Sequence, residues 1–172
     1  MAKCQGEFRL HSRPATTNDA ADIARIYNQA IEDRTSTFET RLRTGADILA
    51  WLDGIHPVLV IEDEGKVIAY GATYPYRPRE CYRGVAEFSV YVDRAARKRG
   101  AGRMALTSLF RACEQAGIWK LVSRIFPENL GIRELNHSLG VREVGIYEKH
   151  ATLDGIWKDC VIVERLLPAN IM

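Results

Sequence analysis

Between an apolar strand signal and an amphipathic helix signal the chain carries Arg97-Lys98-Arg99-Gly100-Ala101-Gly102, an R-x-x-G-x-G turn. The stretch before it, Val85 to Val92, is apolar apart from Glu87 and Ser89. The stretch after it sets Leu106, Leu109, Phe110 and Cys113 on one helical face, and Gly117 ends that helix. A buried strand that turns directly into a helix commits the chain to an α/β arrangement. The turn also makes a seat for an anion. The first amides of a helix have no internal partners, the helix dipole adds roughly half a positive charge there, and glycine lets phosphate oxygens approach the backbone. Arg97, Lys98, Arg99 and Arg103 add local positive charge, so the turn suits a diphosphate. A flexible loop bearing a solvated basic cluster is the plain alternative, and the motif alone leaves it open. A Walker A loop is excluded because no G-K-[ST] follows, and the dinucleotide fingerprint is incomplete because Ala105 stands where its third glycine belongs.

Strand and helix signals alternate along the rest of the chain. Phe8 to Arg13 reads as a first strand, and Thr17 or Asn18 caps a helix whose apolar stripe is Ile23, Ile26, Tyr27, Ala30 and Ile31. A second helix is predicted over Ala46 to Leu52. Val58 to Glu62 and Lys66 to Tyr74 form a hairpin around Asp63-Glu64-Gly65. Tyr76-Arg77-Pro78-Arg79 is a loop, since Pro78 donates no ladder hydrogen bond. After the central helix come a strand over Trp119 to Phe126 and a helix over Pro127 to Leu139. A final antiparallel pair, Val141 to Ala151 and Trp157 to Leu167, turns at Asp154-Gly155. The early meander and the later strand-helix-strand crossover predict a mixed sheet with helices on both faces.

With 172 residues, no internal repeat and no low-complexity linker, the chain reads as one domain over 1–172, its first seven residues an N-terminal extension. The net charge of +2 gives no general attraction for nucleic acid or anionic membrane, so any basic site is local. Cys4, Cys81, Cys113 and Cys160 are too far apart for a C-x-x-C pair and the four histidines are scattered, so no bound metal is expected. The start has no apolar leader segment and the apolar runs are strand-sized, which points to a cytoplasmic protein.

Glu87 needs an explanation, because a carboxylate in an apolar strand is expensive without a partner. It either pairs with an arginine such as Arg83 to hold two strands together, or serves as a base in a cleft. Asn129 is likewise either a helix cap or a ligand-facing amide.

Ser89-Val90-Tyr91-Val92 followed by Arg97-x-x-Gly-x-Gly resembles the acetyl-CoA motif of the GNAT N-acetyltransferases, and the resemblance runs from Arg13 to Leu167. Ile26 to Glu32, Ser36-Thr37-Phe38-Glu39-Thr40 and Tyr76-Arg77-Pro78-Arg79 resemble the phosphinothricin N-acetyltransferase branch. Val144 to His150, with Leu153-Asp154-Gly155 and Trp157-Lys158-Asp159, is similar to that branch's arsinothricin-resistance members. The resemblance implies the GNAT fold: a mixed, mostly antiparallel central sheet, splayed at the acetyl-CoA site, with helices on both faces. It implies that Val90, Tyr91 and Val92 offer backbone groups to the pantetheine and thioester carbonyl, that Lys98, Arg99, Gly100, Ala101, Gly102 and Arg103 hold the pyrophosphate, and that Asn129 lies near both substrates. Arg77 and Arg79 would share one cavity and bind an anionic substrate group with their guanidinium forks, with Phe38 and Tyr82 as pocket walls. As anonymous residues, the arginines would read as solvated and the aromatics as core.

One departure stands out. Where the family has L-H-E before L-G-[FY], this chain has Leu135-Asn136-His137, which puts Asn136 at the usual histidine position. His137 is displaced about 100° around the helix, so no catalytic role passes to it, and Asn136 cannot replace the tyrosine acid of other acetyltransferases. The implied activity is acetyl-CoA-dependent acetylation of the α-amine of a glutamate-like amino acid, of the phosphinothricin, arsinothricin or methionine sulfoximine type, conferring resistance. The implied base is Glu87 and the implied assembly a homodimer. Two rivals remain: acetylation of a protein or peptide amine, and a non-catalytic acyl-CoA-binding module.

Overall fold

The computed structural model describes residues 10–171. Its strands are β1 (His11–Pro14), β2 (Val58–Asp63), β3 (Lys66–Pro75), β4 (Val85–Val92), β5 (Lys120–Ile125), β6 (Arg142–Leu153) and β7 (Ile156–Leu166). They form one sheet in the order β1-β2-β3-β4-β5-β7-β6. Every neighbouring pair is antiparallel except β4 and β5, which are joined by the crossover through the central helix. The helices are α1 (Ala20–Asp33), α2 (Gly45–Leu49), α3 (Ala101–Gln115) and α4 (Leu130–Ser138).

The two-residue period of the strands divides the core between the two faces. Val58, Val60, Tyr70 and Ala72 pack with Ile23, Ile26 and Ile48 of α1 and α2. Leu59, Phe88, Leu121, Val161 and Val163 pack on the opposite face with Leu106, Leu109, Phe110 and Cys113 of α3. A strand covered on both faces needs apolar side chains in succession, which is why Val58 to Ile61 are all buried.

The expected mixed sheet with helices on both faces is therefore present. The hairpins turn at Glu64-Gly65 and Asp154-Gly155, where all four residues have positive φ as two-residue hairpins demand. Several boundaries differ from the sequence expectation. The first strand begins at His11, and Phe8 and Arg9, like the N-terminal extension, lie outside the described residues. Neither Thr17 nor Asn18 caps α1. Thr16 and Asp19 bond each other reciprocally around a short 3₁₀ turn, and α1 starts at Ala20. Asp19 is held in place by two 2.8 Å hydrogen bonds from Arg13, which also donates to Glu62 of β2. Helix α2 begins at Gly45 under its own Thr44–Asp47 capping box and ends at Leu49, short of Leu52. Helix α4 starts at Leu130 rather than Pro127, because Asn129 N–H turns back to the Phe126 carbonyl at 2.9 Å.

One feature of register positions the site. Strand β4 pairs with β5 only through Val85–Glu87 and Lys120–Val122. Beyond that point the rest of β4 stays on β3, while Ser123 to Ile125 stay on β7. The sheet opens into a V just past Glu87.

Candidate active site

The V is the mouth of a cleft of about 580 Å³. Phe88 to Val92 of β4 form one wall and Ser123 to Phe126 the other, while α4 contributes Ile132, Leu135 and Asn136. The basic turn and the first residues of α3 close one end. Lys98 and Gly100 both have positive φ (62° and 87°), which swings the chain round so that α3 begins at Ala101 beside the cleft. A Cβ at Gly102 would lie 3.4 Å from both Leu135 and Val92 side-chain carbons, in van der Waals contact, so any larger side chain would project into the cleft.

Of the residues expected at the cofactor, Val90, Tyr91, Val92, Lys98, Gly100, Ala101, Gly102, Arg103 and Asn129 all line this cleft. Arg99 does not line it. Its Nη2 donates to Asp63 Oδ2 at 2.7 Å, which directs the guanidinium toward the β2–β3 hairpin while its backbone stays in the basic turn. Arg97 lines the cleft but shares Asp33 with Arg94, and hydrogen bonds from Arg97 and Arg94 hold the Asp33 carboxyl below its ordinary range. Lys98 and Arg103 have no carboxylate partner among the described residues, and Arg103 donates to Ser138 Oγ. They leave the α3 end of the cleft positive. The space, the unpaired first amides of α3 and this charge fit the diphosphate and pantetheine arm of acetyl-CoA. Asn129 occupies the N-cap position of α4, makes no capping hydrogen bond with its side chain, and lines the cleft.

At the point of divergence Arg124 Nη1 donates to Glu87 Oε2 at 2.8 Å. The expected partner Arg83 is elsewhere, paired with Glu80 and stacked over Trp119. Glu87 is therefore half-buried at the edge of the cleft rather than at its centre. Arg124, which lines the cleft, went unrecognised in the sequence. The signal was the one that singled out Glu87: a charged residue in an apolar strand.

The same face of the sheet carries Tyr74 of β3 and Tyr91 of β4, which are poor bases. Tyr74 bonds Ser89 at 3.2 Å, and burial pushes the Tyr74 and Tyr91 hydroxyls well above the ordinary tyrosine range. Asn136 is 2% exposed and its Nδ2 donates to the Ile132 carbonyl at 2.9 Å. That bond fixes the amide with its oxygen as the unpartnered atom, so the side chain offers an acceptor and no acid. His137 is exposed, as its helical position predicts.

The residues expected to bind the second substrate are less gathered. Phe38 packs edge-on against Phe126, with ring centroids 4.9 Å apart, at the β5 side of the cleft. Arg77 and Arg79 are exposed on the loop after β3, where Arg77 lies over Tyr76 and Tyr76 meets Tyr82. Neither arginine lines the cleft.

A splayed β4/β5 cleft closed by a glycine-turn helix N-terminus defines an acyl-CoA-type transferase. Residues 22–140 match the model of the acetyltransferase (GNAT) family, and the chain belongs to that family. It is 32% identical to a phosphinothricin N-acetyltransferase of Alcaligenes faecalis over 99% of this chain and 87% of that one. Among solved structures, a ribosomal-protein-alanine N-acetyltransferase of Brucella melitensis superimposes with a TM-score of 0.87 at 31% identity, covering 91% of this chain and 99% of that one. A phosphinothricin acetyltransferase of Sinorhizobium meliloti in complex with acetyl-CoA gives 0.85 at 26% identity, covering 92% and 88%. The chain is an acetyl-CoA-dependent N-acetyltransferase.

Proposed function

We propose that this enzyme acetylates the α-amine of a glutamate-like amino acid carrying a phosphinate, arsinate or sulfoximine group, and so detoxifies it. The observation that supports this most is the break in β4–β5 pairing at Glu87, which sets an ion-paired carboxylate beside the cleft that fits the cofactor. Bound acetyl-CoA supplies a thioester carbonyl to the amine. Backbone groups of Val90 to Val92, which have lost β5 as a partner, are available to orient that carbonyl. Glu87, directly or through water, takes the proton that an ammonium must lose before it can attack. The Asn136 carboxamide has no titratable proton to give the departing sulfur, so solvent supplies the thiol proton. Arg77 and Arg79 reach the distal anion of the substrate, with Phe38 and Tyr82 beside it.

The reading includes a homodimer, because Val144, Ile146, Tyr147, Ile156 and Trp157 leave the β6–β7 end of the sheet apolar and exposed. It also includes action in the cytoplasm, where acetyl-CoA is available. The relative that acts on ribosomal-protein alanine favours a second reading, acetylation of a peptide amine. Substrate-side arginines separate the two. Arg77→Ala and Arg79→Ala should raise KM for an anionic amino acid by roughly 10- to 100-fold while leaving acetyl-CoA affinity unchanged, because a lost charge-assisted bond is worth about 1.5 to 3 kcal/mol. Wild-type KM for every acidic amine in both variants would exclude these arginines from the site.

A further inference from the structure

An α-amino acid carries a carboxylate beside its ammonium, and Arg77 and Arg79 account at most for a distal anion. Arg124 stands two residues past Val122, the last β5 residue paired with β4, and its side chain lines the cleft with 40% of its surface exposed. It uses little of its bonding capacity. A guanidinium has five N–H donors. Among the described residues Arg124 makes one hydrogen bond, Nη1 to Glu87 Oε2 at 2.8 Å, so its Nε and Nη2 groups are unengaged. Other arginines near the cleft are differently placed: Arg97 is tied to Asp33, and Arg103 to Ser138 at the α3 end. Holding β4 to β5 does not require the Arg124 pair, since the ladder through Val85–Glu87 already does so.

We propose that Arg124 binds the α-carboxylate of the acceptor amino acid through its free Nε/Nη2 edge while Glu87 receives the neighbouring ammonium, so that the ion pair acts as a template for a zwitterion. The proposal rests on the amino-acid acetyltransferase reading above. Such an arrangement sets the amine on the base: an N–H bond breaks, an O–H bond forms on the Glu87 carboxylate, and the electron pair stays on nitrogen for the attack. It also makes the free α-carboxylate a condition of recognition. A planar fork suits that carboxylate better than a point charge does.

The test compares phosphinothricin with its α-carboxamide, in the wild-type enzyme and in Arg124→Gln and Arg124→Lys. The wild type should favour the free acid. Arg124→Gln should raise KM for the acid roughly 10- to 100-fold and change KM for the carboxamide by less than about 3-fold, with Arg124→Lys between the two. Calorimetric titration of each compound into the CoA-bound protein should show the same contrast without turnover. A defect arising only through Glu87 or through the strands would strike acid and amide equally, and an equal loss would overturn the proposal, as would an unchanged KM for both. Failure of the wild type to turn over any α-amino acid would instead overturn the amino-acid reading itself, and this proposal with it. Arg124→Lys keeps the charge and the stem, so it serves if the glutamine variant melts early.

Discussion

Glu87 shows what a single residue can and cannot disclose. A lone carboxylate in Val85–Val92 announced that something must hold it, but strand alternation could not say whether that partner lay on a neighbouring loop or across the sheet. It is Arg124, on the parallel neighbour, rather than the nearby Arg83. Arg99 shows the converse: its backbone belongs to the basic turn, while its side chain is drawn off to Asp63. For Glu87 the expectation is specific. Glu87→Gln keeps the size and an acceptor for Arg124 but takes no proton near neutrality, so acetyl-CoA affinity should hold while kcat falls by about 10²- to 10⁴-fold. The loss should shrink as pH rises, because solvent then frees more of the amine. A pH series of kcat/KM beside a thermal melt decides it. A defect equal at all pH values, with a lowered Tm, would make Glu87 part of the scaffold.

At the scale of elements the sequence was most readable where periodicity and turn chemistry agree. The β2–β3 hairpin, β4 and α3 stand where apolar spacing and the Glu64-Gly65, Gly100 and Gly117 signals put them. The start of α1 was misread because its cap depends on Arg13, an ion partner from another element, and local propensity does not contain that. This junction carries a pH prediction. Hydrogen bonds from Arg13, with help from Thr16, hold the buried Asp19 carboxyl down at about 2 against an ordinary 3.8. A depressed pKa adds stability that is complete above about pH 5 and is lost as pH falls through the folded value, here about 2 kcal/mol in all. Asp19→Asn removes it. The stability gap between wild type and variant in urea unfolding should therefore narrow by more than about 1 kcal/mol from pH 7 to pH 2.5. A constant gap would mean that the carboxylate is not held as described. The α3 junction is tested by Gly102→Val. A Cβ already meets Leu135 and Val92 at 3.4 Å, and the added methyls occupy cleft space, so acetyl-CoA binding should be lost in calorimetry while the fold survives. Unchanged affinity in a folded variant would remove this turn from the cofactor site.

For the whole molecule, the crossover and the meander were enough to predict a mixed sheet, whereas the local opening of β4 from β5 is a matter of register that no residue announces by itself. The family resemblance supplied that expectation, and the pairing that stops at Glu87 and Val122 bears it out. The acceptor side was less legible, because Arg77 and Arg79 sit on an exposed loop whose partners are not fixed by local pattern. If the apolar β6–β7 end joins two copies, Ile146→Asp combined with Trp157→Ser should shift the sedimenting mass from two chains to one. An unchanged mass would place the interface elsewhere. The central claim, acetyl transfer to the α-amine of an acidic amino acid, is tested most directly by following free thiol release from acetyl-CoA with phosphinothricin, arsinothricin, methionine sulfoximine, leucine and a short peptide as acceptors, with mass detection of the product. The account predicts N-acetylation of at least one of the first three with kcat/KM at least about 10-fold above leucine and the peptide, the margin expected of one charge-assisted contact. Preference for the peptide, or thiol release with none of the five, would contradict it.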